Sequence, residues 1–518
     1  MAAAESDQMN GSRWERIWPY GLFGLTAVAF LIRLFGAQES PAGDELYLYA
    51  LVHDRSLGST LTAVINQEKT PPLGFILSWA TAHISPADLW MRAPSVLAGT
   101  ALVPVSALLG RRVFGTRAGL AAGLFVATSP FLVFYSIEAR GYSLAALLVT
   151  GATLSVLKAT DDTARRRDWV TFGALSLGAV LTHYTAVFAI ATLVVWTLVA
   201  RPNSRRNVLL SSAGALALFA IWLPSFLTQF GHASDEARRI ADQAPLAFST
   251  VGRMVSRAAV GHPFLDLGSL PGSLAVGLIL AGVAIALTAA IVARVRSGQQ
   301  FFSRPSSTVA LLLLLAATTL LGLLLASLQP HRSLLLTRNL MVSLPVWAVL
   351  AGALVARRQP LIAIASTLLV AAGLSIGTWN ELSRNARPNM RAAATDLHSR
   401  WRPGDVILES AYATGPPLDQ DLAIHLTGDQ LASLLLTRNV GLKPFQTALK
   451  TGRSVFTITP IAGYTTVGLA PPPDIRSKFK LTWWKTWPGL VRVDAMEWTP
   501  VSTAVSTAAT EALVAPAR

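Results

Sequence analysis

The chain has 518 residues, of which 52% are hydrophobic and only 14% charged, against about 25% charged in an average globular protein. Its mean hydropathy is +0.48, and the apolar residues come in blocks such as Val309–Leu328, which carries no charge over twenty residues. Runs of that length cross a hydrocarbon core as helix, so a soluble enzyme, a disulfide scaffold and a disordered chain are excluded.

The net charge of +15 would suit nucleic acid, but its distribution points to a membrane. Residues 380–518 hold 15 Lys/Arg and 11 Asp/Glu, a net of +4, leaving +11 for the residues before them. Most of that excess sits in short connectors between apolar runs, as the positive-inside rule expects. Membrane lipids are therefore expected partners and nucleic acid is not. There are no cysteines, so disulfides, thiolate metal sites and cysteine nucleophiles drop out. Arginine outnumbers lysine 36 to 7, a hint of a GC-rich bacterial genome and hence a bacterial inner membrane.

In chain order, a short tail (1–16) with Arg13 and Arg16 precedes the first apolar run, which lacks a small-residue cleavage site and reads as a retained anchor. Eleven spanning helices are predicted: 17–36, 89–109, 118–136, 141–158, 169–183, 185–200, 207–229, 272–293, 308–328, 340–356 and 360–379. Connectors on the side of the N-terminal tail total 17 Lys/Arg, and those opposite hold 10 in considerably more sequence. The N-terminus is therefore expected in the cytoplasm, and residues from 380 onward outside. Within the outer loop 38–88, residues 46–66 predict an amphipathic helix at the interface. Residues 390–498 are soluble in style, with helix-like NMRAAATDLHSRW followed by strand-like DVILES, SVFTIT and LVRVDAMEW. The expected fold class is thus a polytopic α-helical membrane protein: a bundle over 17–379 with about eleven transmembrane helices, a small extracytoplasmic α/β domain over 380–498, and a flexible tail over 499–518.

The candidates for chemistry all fall on the predicted outer face. Asp44-Glu45 follows the breakers Pro41 and Gly43; a carboxylate at a cavity mouth can act as general base, or the pair can be solvated loop charges. Glu68-Lys69-Thr70-Pro71-Pro72 offers an ammonium for a lipid phosphate on a proline-fixed loop, or simply an interfacial lysine. Ser136-Ile137-Glu138-Ala139-Arg140-Gly141-Tyr142 squeezes an acid and a base into a short turn, where either a functional pair or a structural Glu138–Arg140 pair fits. His183-Tyr184 marks the next turn, and Arg338, preceded by His331 and Arg332, opens a late span; arginine binds phosphate bidentately but also snorkels to interfaces. His262 says little alone. Trp483, Trp484 and Trp487 read as core or interface before sugar stacking. No acidic or histidine set has a close metal spacing such as HExxH. The spans are nearly free of Asp and Glu, unlike those of an ion-coupled transporter.

Taken in order, these motifs resemble the GT-C superfamily of polyprenyl-phosphate-sugar-dependent glycosyltransferases, in the branch of protein O-mannosyltransferases and the lipid A aminoarabinose transferase. The matching features are Asp44-Glu45, Lys69-Thr70-Pro71-Pro72, Glu138-Ala139-Arg140-Gly141-Tyr142, His183-Tyr184, Arg338 with Leu344-Pro345, and Asn389–Ala394 before Pro403-Gly404-Asp405. The resemblance implies a sugar transferred, usually with inversion, from a polyprenyl-phosphate donor to an acceptor hydroxyl on a glycan, lipid or protein. It implies Asp44 as catalytic base supported by Glu45, Glu138 as the second-loop acid, and Lys69, Arg140 and Arg338 as donor-phosphate ligands. Tyr142, His183, Tyr184 and Arg332 are further candidates. It implies no nucleotide sugar and no certain cofactor, and a divalent metal stays open: Glu68 matches a ligand position, but Thr70 interrupts the Glu-Lys-Pro pattern, and His262 as partner is a guess. A transporter or flippase of a lipid-linked glycan is the alternative.

Overall fold

The computed structural model describes residues 2–501 apart from 42, 54, 86–87, 232–239, 242–243, 298–304, 329–332, 357–359, 385–386, 411–421, 437–439, 441, 462–468 and 490–491. The chain forms two compact units, one of Met1–Gln38 with Leu51–Glu381, the other of Glu39–Ala50 with Leu382–Arg518.

The first unit is helical. Each of the eleven predicted runs coincides with helix, but two are interrupted. The third run is split into Thr116–Thr128 and Pro130–Ile137, bent by 57°. Pro130 has no N–H and fixes its own φ, so the helical ladder cannot continue through it. The carbonyls left over at the break find other donors: Arg33, wholly buried, donates to Val126 and Ala127, and Thr378 donates to Thr128 at 2.9 Å. Ser129 then caps the next helix through the N–H of Leu132. The seventh run is two helices, Arg205–Phe219 and Leu223–Gly231. Among the described residues six helices are long and apolar enough to cross a membrane, or up to eight when the bent pairs Thr116–Thr128 with Pro130–Ile137 and Ala186–Ala200 with Pro202–Phe219 each count as one span. The helix containing the first run begins at Ala2, where a tail was expected.

Close approach of backbones holds the centre of this unit together. A Cβ on Gly119 would lie 2.6 Å from the Ala107 carbonyl oxygen, and one on Gly352 would lie 2.7 Å from that of Ala118. Only glycine lets the helices Asp88–Phe114, Thr116–Thr128 and Leu344–Val355 pack this tightly. Leucines at the periphery, such as Leu280, Leu314 and Leu321, are more than half exposed, as side chains facing lipid tails would be.

The single interfacial helix expected over 46–66 is instead two, Asp44–Val52 and Leu57–Gln67. Ser56 caps the second by accepting from the Ser59 N–H, and the Thr60 hydroxyl donates to the Leu51 carbonyl at 2.7 Å, turning the chain between them.

The second unit contains a five-stranded mixed sheet of order β2-β1-β3-β5-β4: β1 Val406–Glu409, β2 Leu434–Leu436, β3 Val455–Ile461, β4 Phe479–Trp487 and β5 Arg492–Pro500. β1 runs parallel to β2 and β3, whereas β5 pairs antiparallel with β3 and β4, with a bulge near Trp483. Alternation sorts the strands onto two faces. Ile407, Phe456, Ile458, Val493 and Ala495 pack with Met390, Ala393 and Leu397 of the helix Met390–Arg400. Leu408, Val455 and Trp498 pack with Phe445 and Ala448 of the helix Lys443–Thr451. Pro403-Gly404-Asp405 is the turn into β1: Gly404 takes φ +93°, and Asp405 accepts from the N–H groups of Arg402 and Ser454 at 2.9 Å. Trp487 is buried in the first core, Trp483 lies under the Arg400 guanidinium, and Trp484 is exposed. The expected tail lies outside the described residues from 502 onward.

Candidate functional site

In the helical unit the Glu68 connector and the Glu138–Tyr142 turn come together. Arg140 donates from Nη1 to Glu68 Oε1 at 2.9 Å and from Nη2 to Oε2 at 3.1 Å, with the two side chains only 9% and 11% exposed. This two-point pairing fixes the plane of the guanidinium. Thr70 donates to the same carboxylate at 3.3 Å, and the Phe75 ring stands 5.2 Å from the Arg140 charge. Arg140 thus pairs across 72 residues with Glu68, and a backbone bond from its N–H to the Glu138 carbonyl closes the turn at 2.7 Å. Glu138 is buried at the C-terminus of the helix Pro130–Ile137. Ser95 donates to the Arg140 carbonyl at 2.9 Å.

Gly141 is needed where the turn meets its neighbour, because a Cβ there would stand 2.7 Å from Thr182 Cγ2. That contact brings in the 183–185 connector. The buried Tyr142 ring lies 5.5 Å from the His183 ring and 4.8 Å from that of Tyr135. His183 Nδ1 is 2.7 Å from Thr185 Oγ1. Burial, and then the positive charges of Arg338 and Arg140, push the His183 imidazole down to about 3. Burial also pushes the Tyr184 phenol up. Its hydroxyl donates to Gln229 Oε1 at 2.5 Å and accepts from Trp222 Nε1 at 3.0 Å.

Lys69 is partly exposed on the connector, and Arg338 sits in the short turn Thr337–Leu340. Arg332 and His331 lie outside the described residues. His262 is buried elsewhere, edge-on to Phe134 at 4.8 Å, with Nδ1 accepting from the Phe264 N–H at 3.2 Å. Glu68 is already held by Arg140 and Thr70, and among the described residues no three His, Asp or Glu side chains gather to hold a metal. The described residues thus offer no preformed metal site.

Asp44 and Glu45 belong to the other unit. Asp44 is partly exposed in the first turn of the helix Asp44–Val52, where the backbone dipoles favour a carboxylate. Glu45 has no exposed surface and forms an ion pair with Arg387, which also lies 3.6 Å from Glu39. In the same unit Ser40 accepts from the Arg391 N–H at 2.9 Å. Sequence reading missed Gln229, Trp222 and Arg387. Gln229, an amide at the end of an apolar run, was the one with a visible signal.

Residues 69–228 match the family described as dolichyl-phosphate-mannose-protein mannosyltransferase. No curated protein shows significant sequence similarity to the chain. Among solved structures, ArnT from Cupriavidus metallidurans in the apo state aligns with a TM-score of 0.52 at 16% identity, over 91% of this chain and 97% of that one. The same protein bound to undecaprenyl phosphate gives 0.51 at 15%, over 92% and 98%. The family match spans Lys69, the Glu138–Tyr142 turn and His183-Tyr184, and the alignment with ArnT over most of both chains shows a shared fold.

Proposed function

We propose that the protein transfers a sugar from a polyprenyl-phosphate-linked donor to an acceptor hydroxyl at the outer face of the membrane, with inversion. In this reading the acceptor oxygen attacks the anomeric carbon, the bond from that carbon to the phosphate oxygen breaks, and the acceptor proton passes to Asp44. Arg140, Arg338 and Lys69 stabilise the charge that grows on the departing lipid phosphate, a preorganised electrostatic task. The observation that carries the proposal is the shielded Arg140, held in a two-point geometry by Glu68 on the turn that brings Tyr142 to His183, in a stretch that matches a lipid-phosphate-sugar transferase family. Glu68 balances the charge and takes two of the five N–H donors of Arg140. The ArnT structure bound to undecaprenyl phosphate supports a lipid phosphate as the donor's leaving group. The acceptor is a glycan, a lipid or a protein. The N-terminus is placed in the cytoplasm and the sheet-containing unit outside, on the distribution of Lys and Arg.

The test is incubation of purified protein in detergent with a panel of undecaprenyl-phosphate sugars. A transferase consumes the donor where no membrane sidedness exists; a flippase leaves it chemically unchanged and acts only in sealed vesicles. Asp44→Asn should lose at least about a hundredfold in turnover while still binding undecaprenyl phosphate. Wild-type turnover in that variant would remove Asp44 from the mechanism.

A further inference from the structure

The loop that carries Glu68 and Lys69 is held from below by one buried side chain. Gln229, 2% exposed on the helix Leu223–Gly231, donates from Nε2 to the Val64 carbonyl at 3.0 Å and to the Thr70 carbonyl at 3.1 Å. Its Oε1 accepts the Tyr184 hydroxyl proton at 2.5 Å, and the Trp222 indole donates to that hydroxyl at 3.0 Å. Each polar atom of the amide is therefore used, and each bond goes to a different stretch of chain. Val64 is in the last turn of the helix Leu57–Gln67, and its carbonyl also accepts the Glu68 N–H at 3.1 Å. Thr70 follows Lys69, and Tyr184 follows His183.

We propose that Gln229 is a positioning residue of the active site. It locks the Glu68-Lys69-Thr70 loop against the His183-Tyr184 turn, so that Glu68 meets Arg140 in the two-point geometry and Lys69 is presented from a fixed backbone. The proposal rests on the reading of Arg140 and Lys69 as phosphate ligands. The physical reason for an amide is that the site needs two donors and one acceptor in a plane. Glutamate supplies no donor, and leucine supplies neither donor nor acceptor. The Thr70 carbonyl loses the Gln229 donor when that side chain is replaced, and because an unmet carbonyl away from water is penalised, the loop must move.

The experiment measures binding of undecaprenyl phosphate to the full-length protein in detergent, by native mass spectrometry, for wild type, Gln229→Leu, Gln229→Glu, Glu68→Gln and the double variant Glu68→Gln/Gln229→Leu. Gln229→Leu and Gln229→Glu should each weaken binding about tenfold, the loss expected when a buried hydrogen bond that sets a ligand's geometry is removed. Gln229→Glu keeps the size of the side chain and an acceptor for Tyr184, so it carries the test if the leucine variant does not fold. The double variant should lose less than the two single losses combined, because part of the effect of Gln229 runs through Glu68; a residue that merely supports the fold would add its full loss. Wild-type binding in both single variants, or full additivity, would overturn the assignment of Gln229. Failure of the wild-type protein itself to bind undecaprenyl phosphate would instead overturn the phosphate reading.

Discussion

Replacing Arg387 by alanine should open the sheet-containing unit. Glu45 has no exposed surface and Arg387 is 5% exposed, so the ion pair between them is shielded from water on both sides. Removing the guanidinium leaves a carboxylate inside the unit that must either be protonated or drag water in, and breaking a buried pair in this way costs about 3–5 kcal/mol. At 1.4 kcal/mol per tenfold, that loss corresponds to an increase of roughly a hundred- to several-thousandfold in the opening equilibrium of the segment it ties down. The two residues are 342 positions apart, so the pair fastens 39–50 to the rest of the unit, and Asp44 sits one residue from the tie. Amide hydrogen exchange is the assay, followed in 44–50 and in β1 and β3, because a chain with two units has no single unfolding free energy. Exchange in 44–50 should accelerate by at least about a hundredfold in Arg387→Ala and turnover should fall with it. The double variant Glu45→Gln/Arg387→Met should recover part of both, since position 45 then carries no buried charge while Glu39 still loses its guanidinium neighbour. Exchange within about threefold of wild type in Arg387→Ala, or a double variant as damaged as the single one, would refute the reasoning.

Two further outcomes follow from the helical unit. A Cβ on Gly99 would fall 2.1 Å from Ser136 Oγ and 3.0 Å from Arg33 Nε, so Gly99→Ala should destabilise the bundle by about 1–3 kcal/mol, seen as a lower melting temperature in detergent. His183 is held at about 3 by burial and two arginines, below its ordinary 6.5. Between those values the unfolded chain takes up a proton that the folded one refuses, so stability falls as pH drops through that window and is unaffected by this group above it. His183→Gln should therefore show a shallower loss of melting temperature from pH 7 to pH 5 than wild type; an unchanged slope would place another group behind the loss.

The sequence by itself determined what its local patterns encode. Uncharged blocks such as Val309–Leu328 need no partner to be read as helix, because a spanning segment satisfies its own backbone. The strand-like stretches DVILES and SVFTIT announced β1 and β3, and the helix-like NMRAAATDLHSRW announced the helix Met390–Arg400. The short motifs picked out Glu68, Arg140, His183 and Tyr184 individually, since charged or polar residues in tight turns between apolar runs stand out against their surroundings. The tertiary structure decided their partners. Arg140 meets Glu68 across 72 residues, Gln229 reaches Thr70 across 159, and Arg387 reaches Glu45 across 342. Hydropathy and periodicity report which way a side chain faces on its own element. Which polar group it meets depends on how glycines such as Gly119, Gly141 and Gly352 let distant helices and turns approach, a distance that a one-dimensional pattern does not carry.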